Sequence, residues 1–296
     1  MTGTSQAGDR PDGTAVYLYG VTRGLDPAAL RDAHGVAGAP VRGVVADGLT
    51  ALVSTVRLAD YGEAALRANL EDLAWLEATA RAHHDVVDRA ARAAPTAPVR
   101  IATIYRDDTR VVEVLTAQGA RFGEVLDRVE GRAEWGVKAY TVPGSPRAAA
   151  TPDRPAEPAT VSAAGPVSTS GPGSGGGEPG AGAAYLRRRQ RERRRREDAG
   201  REAAARARDL HAELADHAVA YRHHPPQDPR LSGRPGVQIL NAAYLLDEEQ
   251  AEGFLAVARA AGERLPGIEV EVTGPWPPYS FIDTDDATPA REPGDR

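Results

Sequence analysis

The chain has no cysteine, a single methionine and three phenylalanines. Without thiols there can be no disulfide, no thiolate metal site and no cysteine nucleophile. Lysine is almost missing too: Lys138 stands alone, and arginine carries the rest of the positive charge. No run of about 20 apolar residues occurs, so no membrane-crossing helix is expected. The opening residues, MTGTSQAGDRPDG, hold no apolar stretch, and no signal peptide is expected from them. A net charge of -6 argues against a chain whose whole surface coats nucleic acid. Together these absences predict a soluble cytoplasmic protein.

What is present fits a folded protein. The 296 residues are 41% hydrophobic, with aromatics at only 5%, so alanine supplies much of the apolar character. That length suits one large domain or two ordinary ones. Ala15–Val21 reads as a buried strand, and Val41–Val56 as two strands around Asp47-Gly48, a hairpin-turn dipeptide. From Leu66 the period changes. Leu66, Leu70, Leu73, Leu76, Ala80, His84, Val87, Ala91 and Ala94 trace one face of a long amphipathic helix, ended by Pro95 and Pro98. Val99–Tyr105 returns to strand, Asp108 opens a helix over Val111–Val129, and Arg132–Val142 is another strand.

Residues 143–184 are mostly Pro, Gly, Ser and Ala, too poor in apolar surface to offset chain entropy, and are expected to be a disordered insertion. Beyond it, helical propensity covers 185–220. A strand over His217–Pro225 and a doubly apolar strand over Val237–Asp247 come next. Asp247 and Gln250 suggest a capping box for a helix that Pro266-Gly267 stops, and Ile268, Val270 and Val272 alternate as an edge strand. From Arg132 the order is βαββαβ, the ferredoxin-like split motif.

The expected class is therefore α+β with two mixed α/β domains meeting near Gly131. Residues 14–131 form the first. Residues 132–273 form the second, ferredoxin-like one, which carries the insertion and an arginine-rich helix at 185–220. A Pro/aromatic tail occupies 274–282, and the termini, 1–13 and 283–296, are expected to be disordered.

Three features invite a chemical reading. His83-His84-Asp85-Val86-Val87-Asp88 fits HHxxxD and is similar to the acyl-transfer motif of condensation domains. There His84 would be the general base and Asp88 would hold the geometry. That motif normally continues with Gly, and here Arg89 comes next. The segment also lies inside a helical pattern, where a His–Asp pair at four-residue spacing is commonplace. His223-His224 could suggest a metal, but adjacent side chains on a strand point to opposite faces, and no cluster with ligand spacing accompanies them. The arginine run of Arg187, Arg188, Arg189, Arg191, Arg193, Arg194, Arg195 and Arg196 could bind an anionic partner, nucleic acid included, or could simply be a solvated helix. No aromatics interleave with it, as they would on a single-strand platform. No phosphate loop, GxSxG or HExxH is present.

The segment VTGPWPPYSFI, Val272–Ile282, combines stiff prolines with Trp276, Tyr279 and Phe281. With LNAAYLLD before it, AVYLYGV near the start and RVEGRAEWGVKAY at Arg128–Tyr140, it resembles the GvpL/GvpF family of gas vesicle proteins over most of residues 14–282. The most specific piece of the likeness is Gly274–Phe281. The insertion and arginine run depart from the family's usual helical connector. The resemblance implies a two-domain α/β protein that is a minor component or assembly factor of gas vesicles. It further implies partners in the small hydrophobic shell protein GvpA and other accessory vesicle proteins, and no enzymatic activity or cofactor. The tail, Gly274, Pro275, Trp276, Pro277, Pro278, Tyr279 and Phe281, is then expected to pack back across the interdomain groove. A docking strip for a partner is the other way to use it.

Overall fold

The computed structural model describes residues 13–142, 180–227, 234, 236–282 and 288–289. The disorder expected for 1–12, 143–179, 283–287 and 290–296 falls outside the described residues.

The first sheet has four antiparallel strands in the order β2-β3-β1-β4: β1 (Thr14–Thr22), β2 (Arg42–Ala46), β3 (Leu49–Arg57) and β4 (Thr96–Tyr105). Asp47 and Gly48 join β2 to β3 with φ of 49° and 77°, the positive pair that a two-residue hairpin turn of the right twist requires. Alternation along β1 sends side chains to two cores. Val16 and Leu18 meet α4 (Asp108–Ala117) and α5 (Gly119–Val129) through Val111, Leu115, Val125 and Leu126. Ala15, Tyr17 and Tyr19 face α1 (Leu58–Tyr61), α2 (Glu63–Asn69) and α3 (Leu73–Ala91). The sheet is thus covered on both faces, which is why β1 reads as an unbroken apolar run.

The second sheet runs β8-β5-β7-β6-β9, with every pairing antiparallel. Its strands are β5 (Arg132–Thr141), β6 (Ala220–His223), β7 (Gln238–Asp247), β8 (Ile268–Trp276) and the two-residue β9 (Thr288–Pro289). On one face, α6 (Gly180–Ala215) and α7 (Ala251–Arg264) bury Leu210, Leu214, Phe254 and Ala258 against Val137, Leu240, Tyr244 and Leu246. Arg264 donates to both Glu213 carboxylate oxygens at 2.7 and 2.6 Å, fastening α7 to α6.

Several expected elements shift. The single helix expected from Leu66 to Ala94 is two, the end of α2 and then α3. Asp72 caps α3 by accepting from the backbone of Ala74 and Trp75, so a new helix starts there with its own phase. Leu73, expected on the apolar face, is 80% exposed, and the buried stripe is His83, Val86, Val87 and Ala90. The helix expected over Val111–Val129 breaks at Gln118 into α4 and α5. Asp247 makes no side-chain cap; its carboxylate instead pairs with Arg132 at 2.8 Å. Helix α6 already includes 180–184, part of the expected insertion, and β9 lies in the expected disordered C-terminus. Strand β8 runs on to Trp276, through Gly274 and Pro275, three residues beyond the expected end. A proline is tolerated there because β8 is an edge strand and needs to pair on one side only.

Candidate functional site

The tail straddles the two sheets. Along β8, Gly274 and Pro275 together oppose the single residue Trp135 of β5, since Thr273 pairs with Gly136 and Trp276 with Glu134. This bulge bends the edge strand and re-aims the residues after it. Gly274 has φ of 134°, and a Cβ there would lie 2.9 Å from the Glu134 carbonyl and 3.1 Å from the Trp135 ring. Only glycine fits. Beyond the bulge, Trp276 is 43% exposed, with its ring 5.5 Å from that of His84 and tilted edge-on. Pro275 is exposed, whereas Pro277 and Pro278 are buried. Tyr279 joins the core beneath α1–α3 and stacks on His84 with ring centroids 6.3 Å apart. Phe281 is fully buried in the second sheet against Ala220, Ala243 and Leu245. Ile282 packs on the other core of the first sheet. Three of the four residues Tyr279–Ile282 thus reach three separate cores.

A polar clamp holds this turn. Glu134 accepts hydrogen bonds from the Ser280 backbone N–H and from Ser280 Oγ, both at 2.7 Å. Ser280 Oγ also lies 3.3 Å from His224 Nε2. Because the serine proton points to the carboxylate, His224 acts as donor to Oγ, and its own pKa is pushed down by burial and then by the charge of Arg222. The trio resembles a catalytic triad in composition, but the order is wrong. A nucleophilic serine gives its proton to histidine, and this one gives it to glutamate. Burial raises the Glu134 pKa, and the Ser280 hydrogen bonds and the Arg222 charge work against that rise.

On the first-sheet side, Tyr17 Oη accepts from the Ala102 N–H at 3.1 Å and lies 3.0 Å from His83 Nδ1. Which of the two donates follows from the His83 tautomer. His83 is 1% exposed, and burial pushes its pKa down to about 4, reinforced by His84 and opposed by the Val99 backbone. His83 Nε2 and the Tyr279 hydroxyl are buried with no hydrogen-bond partner among the described residues. Tyr19 is fully satisfied: it donates to Ser54 Oγ and accepts from the Val36 N–H, both at 2.9 Å.

The histidine of the acyl-transfer pattern is therefore not placed as that chemistry needs. His84 is sandwiched by Trp276 and Tyr279, Asp88 pairs with Arg92 at 2.8 Å, and Arg89 donates to the carbonyls of Ala29 and Arg31. The departure at Arg89 is thus structural: it ties α3 to the turn after β1. His223 and His224 diverge as adjacent strand residues must. His223 lies 4.5 Å from the His211 ring while His224 faces Ser280. Among the described residues no group of three or more His, Asp or Glu could hold a metal ion. Residues 187–196 of α6, the arginine run included, are all exposed. Glu134, Ser280, His83 and His224 form the seam, and none of their partnerships is legible in the sequence. Glu134 and Ser280 are 146 residues apart, and only the Tyr-Ser-Phe motif itself hints that a polar residue between two aromatics has a job.

Comparison with known proteins agrees with this architecture. The family described as "Gas vesicle synthesis protein GvpL/GvpF" matches residues 15–283. Gas vesicle protein L of Streptomyces sp. (strain CB03234) is 41% identical over 265 residues, covering 90% of this chain and 91% of that protein. Gas vesicle protein F of the same strain is 26% identical, over 91% of this chain and all of that one. Among solved structures, GvpF from Anabaena sp. PCC7120 superposes with a TM-score of 0.64 at 17% identity, covering 92% of this chain and 100% of that one. GvpF from Microcystis aeruginosa gives 0.60 at 16%, covering 91% and 99%. The mixed α/β fold with two antiparallel sheets is shared with those crystal structures, and the chain belongs to the GvpL/GvpF family of gas vesicle proteins.

Proposed function

We propose that this chain is a non-enzymatic gas vesicle assembly factor or minor vesicle component, acting in the cytoplasm and at the vesicle. It binds the small hydrophobic shell protein GvpA, together with accessory vesicle proteins, while vesicles nucleate. The observation that carries this reading is the family match along nearly the whole chain, with two gas vesicle relatives aligned over 90% and 91% of it. The seam supports it physically. Glu134 and Ser280 bond to each other across the tail, which is the arrangement of a strap.

In this reading the chain is two units, 14–131 and 132–273. The second is ferredoxin-like, an assignment supported by the strand order β8-β5-β7-β6. Gly274, Pro275, Trp276, Pro277, Pro278, Tyr279 and Phe281 fix the units together, so that a partner meets one rigid surface. Prolines lower the entropy lost when such a segment docks.

The test is complementation of a vesicle gene cluster lacking this gene, scored by buoyancy and electron microscopy. Vesicles should return with the wild-type chain and equally with His84→Gln. They should not return when residues 276–282 are removed. Loss of vesicles with a folded His84→Gln protein would instead revive acyl transfer.

A further inference from the structure

Helix α6 is 36 residues long, about 54 Å at 1.5 Å per residue, yet its buried core residues are confined to its C-terminal part, Ala207, Leu210 and Leu214. The N-terminal part projects. Between Arg187 and Asp198 it carries eight arginines against three acids. Where it leaves the sheet, an apolar groove of about 470 Å³ opens between α6 and the ends of β5 and β7. Gly200, Ala203 and Ala204 form the helical wall, too small to fill the space, and Val142, Val237 and Ile239 stand opposite. Val237 is 68% exposed and Val142 42%. Arg196 lines this groove and also a second hollow that continues along α6 past Arg193 and Arg189. Arg193 pairs with Glu197 at 3.5 Å, but Arg189 and Arg196 have no acidic partner among the described residues. The apolar groove, which also takes in the paired Glu202 and Arg206, therefore meets at Arg196 a hollow lined by Arg189, Arg193 and Arg196 with Glu192 among them, so that arginines outnumber acids along it.

We propose that this surface docks an acidic amphipathic helix of a partner protein. Its apolar residues enter the groove between α6 and the sheet end, and its carboxylates lie along Arg189, Arg193 and Arg196. The spacing suits it: Ala203 and Arg189 are about 21 Å apart along the helix, the length of a four-turn helical segment. Charge complementarity selects the partner. The groove alone would take any apolar segment, and the arginines restrict it to one that also carries acids. Nucleic acid would satisfy the arginines but has nothing to fill an apolar trough, and neither hollow offers an aromatic ring on which a base could stack. The shell-protein role rests on the family instead, so failure here leaves that role standing.

The experiment is fluorescence anisotropy on the full-length chain with two labelled helical peptides of about 18 residues. Each carries leucines at i, i+3, i+4 and i+7 of one half and glutamates on the same face of the other, and the two run in opposite directions. One of them should bind, more weakly as salt rises. The triple change Arg189→Glu, Arg193→Glu and Arg196→Glu should weaken binding at least about tenfold, and so should Val237→Asp alone. Both variants should melt at the wild-type temperature, because all four positions are exposed. A scrambled peptide of the same composition should bind at least about tenfold more weakly than the patterned one.

Equal binding of the scrambled peptide would reduce the site to bulk charge and overturn the proposal. So would tighter binding of a DNA duplex that displaces the peptide, or a self-association in sedimentation that Val237→Asp abolishes. Binding only after removal of residues 143–179 would assign the groove to the chain itself, and no binding by either peptide would also end the proposal.

Discussion

His83 shows how one side chain ties the seam to pH. Folded, its pKa is pushed down to about 4, against an ordinary 6.5. Between those values the unfolded chain takes up a proton that the folded chain refuses, so stability falls as pH drops through that window. The loss between pH 7 and pH 5 is about 2 kcal/mol from this residue alone. His83→Gln keeps a hydrogen-bond partner for the Tyr17 hydroxyl and removes the titration. In urea unfolding, its stability difference between pH 7 and pH 5 should shrink by about that amount. An unchanged difference would mean that His83 is protonated in the folded protein. Glu134 works in the opposite sense. Its pKa is raised above the ordinary 4.5, so it costs stability as pH rises past that value. Replacing it is nonetheless harmful, because Glu134→Gln offers one acceptor where Ser280 presents two donors. We expect a loss of about 1–3 kcal/mol at pH 7. Phe281→Ala empties a fully buried site and should cost about 3–5 kcal/mol by the same measurement.

At the scale of elements, the parts governed by local chemistry are legible in the sequence and the parts governed by distant contacts are not. Asp47-Gly48 names its own turn, because few other pairs accept two positive φ angles. Strand β7 announces its burial by being apolar on both faces. Periodicity puts the phase of α3 off by one residue, with His84 rather than His83 inside. Leucines upstream at Leu66, Leu70 and Leu73 happen to keep helical spacing across a cap at Asp72, and periodicity does not see caps. The end of β8 is misplaced for another reason. Proline forbids an interior strand, but an edge strand with a bulge tolerates it, and edge position is a property of the sheet. The bulge is testable. Gly274→Ala must fit a Cβ 2.9 Å from a carbonyl at a φ that L-residues rarely adopt, and should destabilise by about 1–3 kcal/mol or shift the tail off the seam. The arginine-bearing part of α6 makes the opposite case. Removing 185–199 takes away only exposed residues, and the melting temperature should stay within about 2 °C of wild type.

For the whole molecule, the proposed role of the tail is to join two sheets, each with its own cores. Tyr279, Phe281 and Ile282 lie on three cores and Ser280 is held by Glu134, so any opening between the sheets must expose an aromatic ring and break a charged hydrogen-bond pair. Chymotrypsin should accordingly leave the bonds after Tyr279 and Phe281 intact in the native protein, and mass spectrometry of timed digests checks this. Early cleavage there would show a tail free for partners. Trp276 is the exception in the segment: its exposed ring is the tail's available contact, beside His84 on the outer side of the seam.

The most direct test is co-purification of the tagged full-length chain with the small shell protein GvpA from cells expressing the vesicle gene cluster. It should be run beside a chain carrying Glu134→Gln and Phe281→Ala, which loosens the strap. The account predicts that the wild-type chain retains the shell protein in soluble form and that the loosened chain retains less of it. A folded wild-type chain that comes out of that lysate without the shell protein would contradict the assembly role itself.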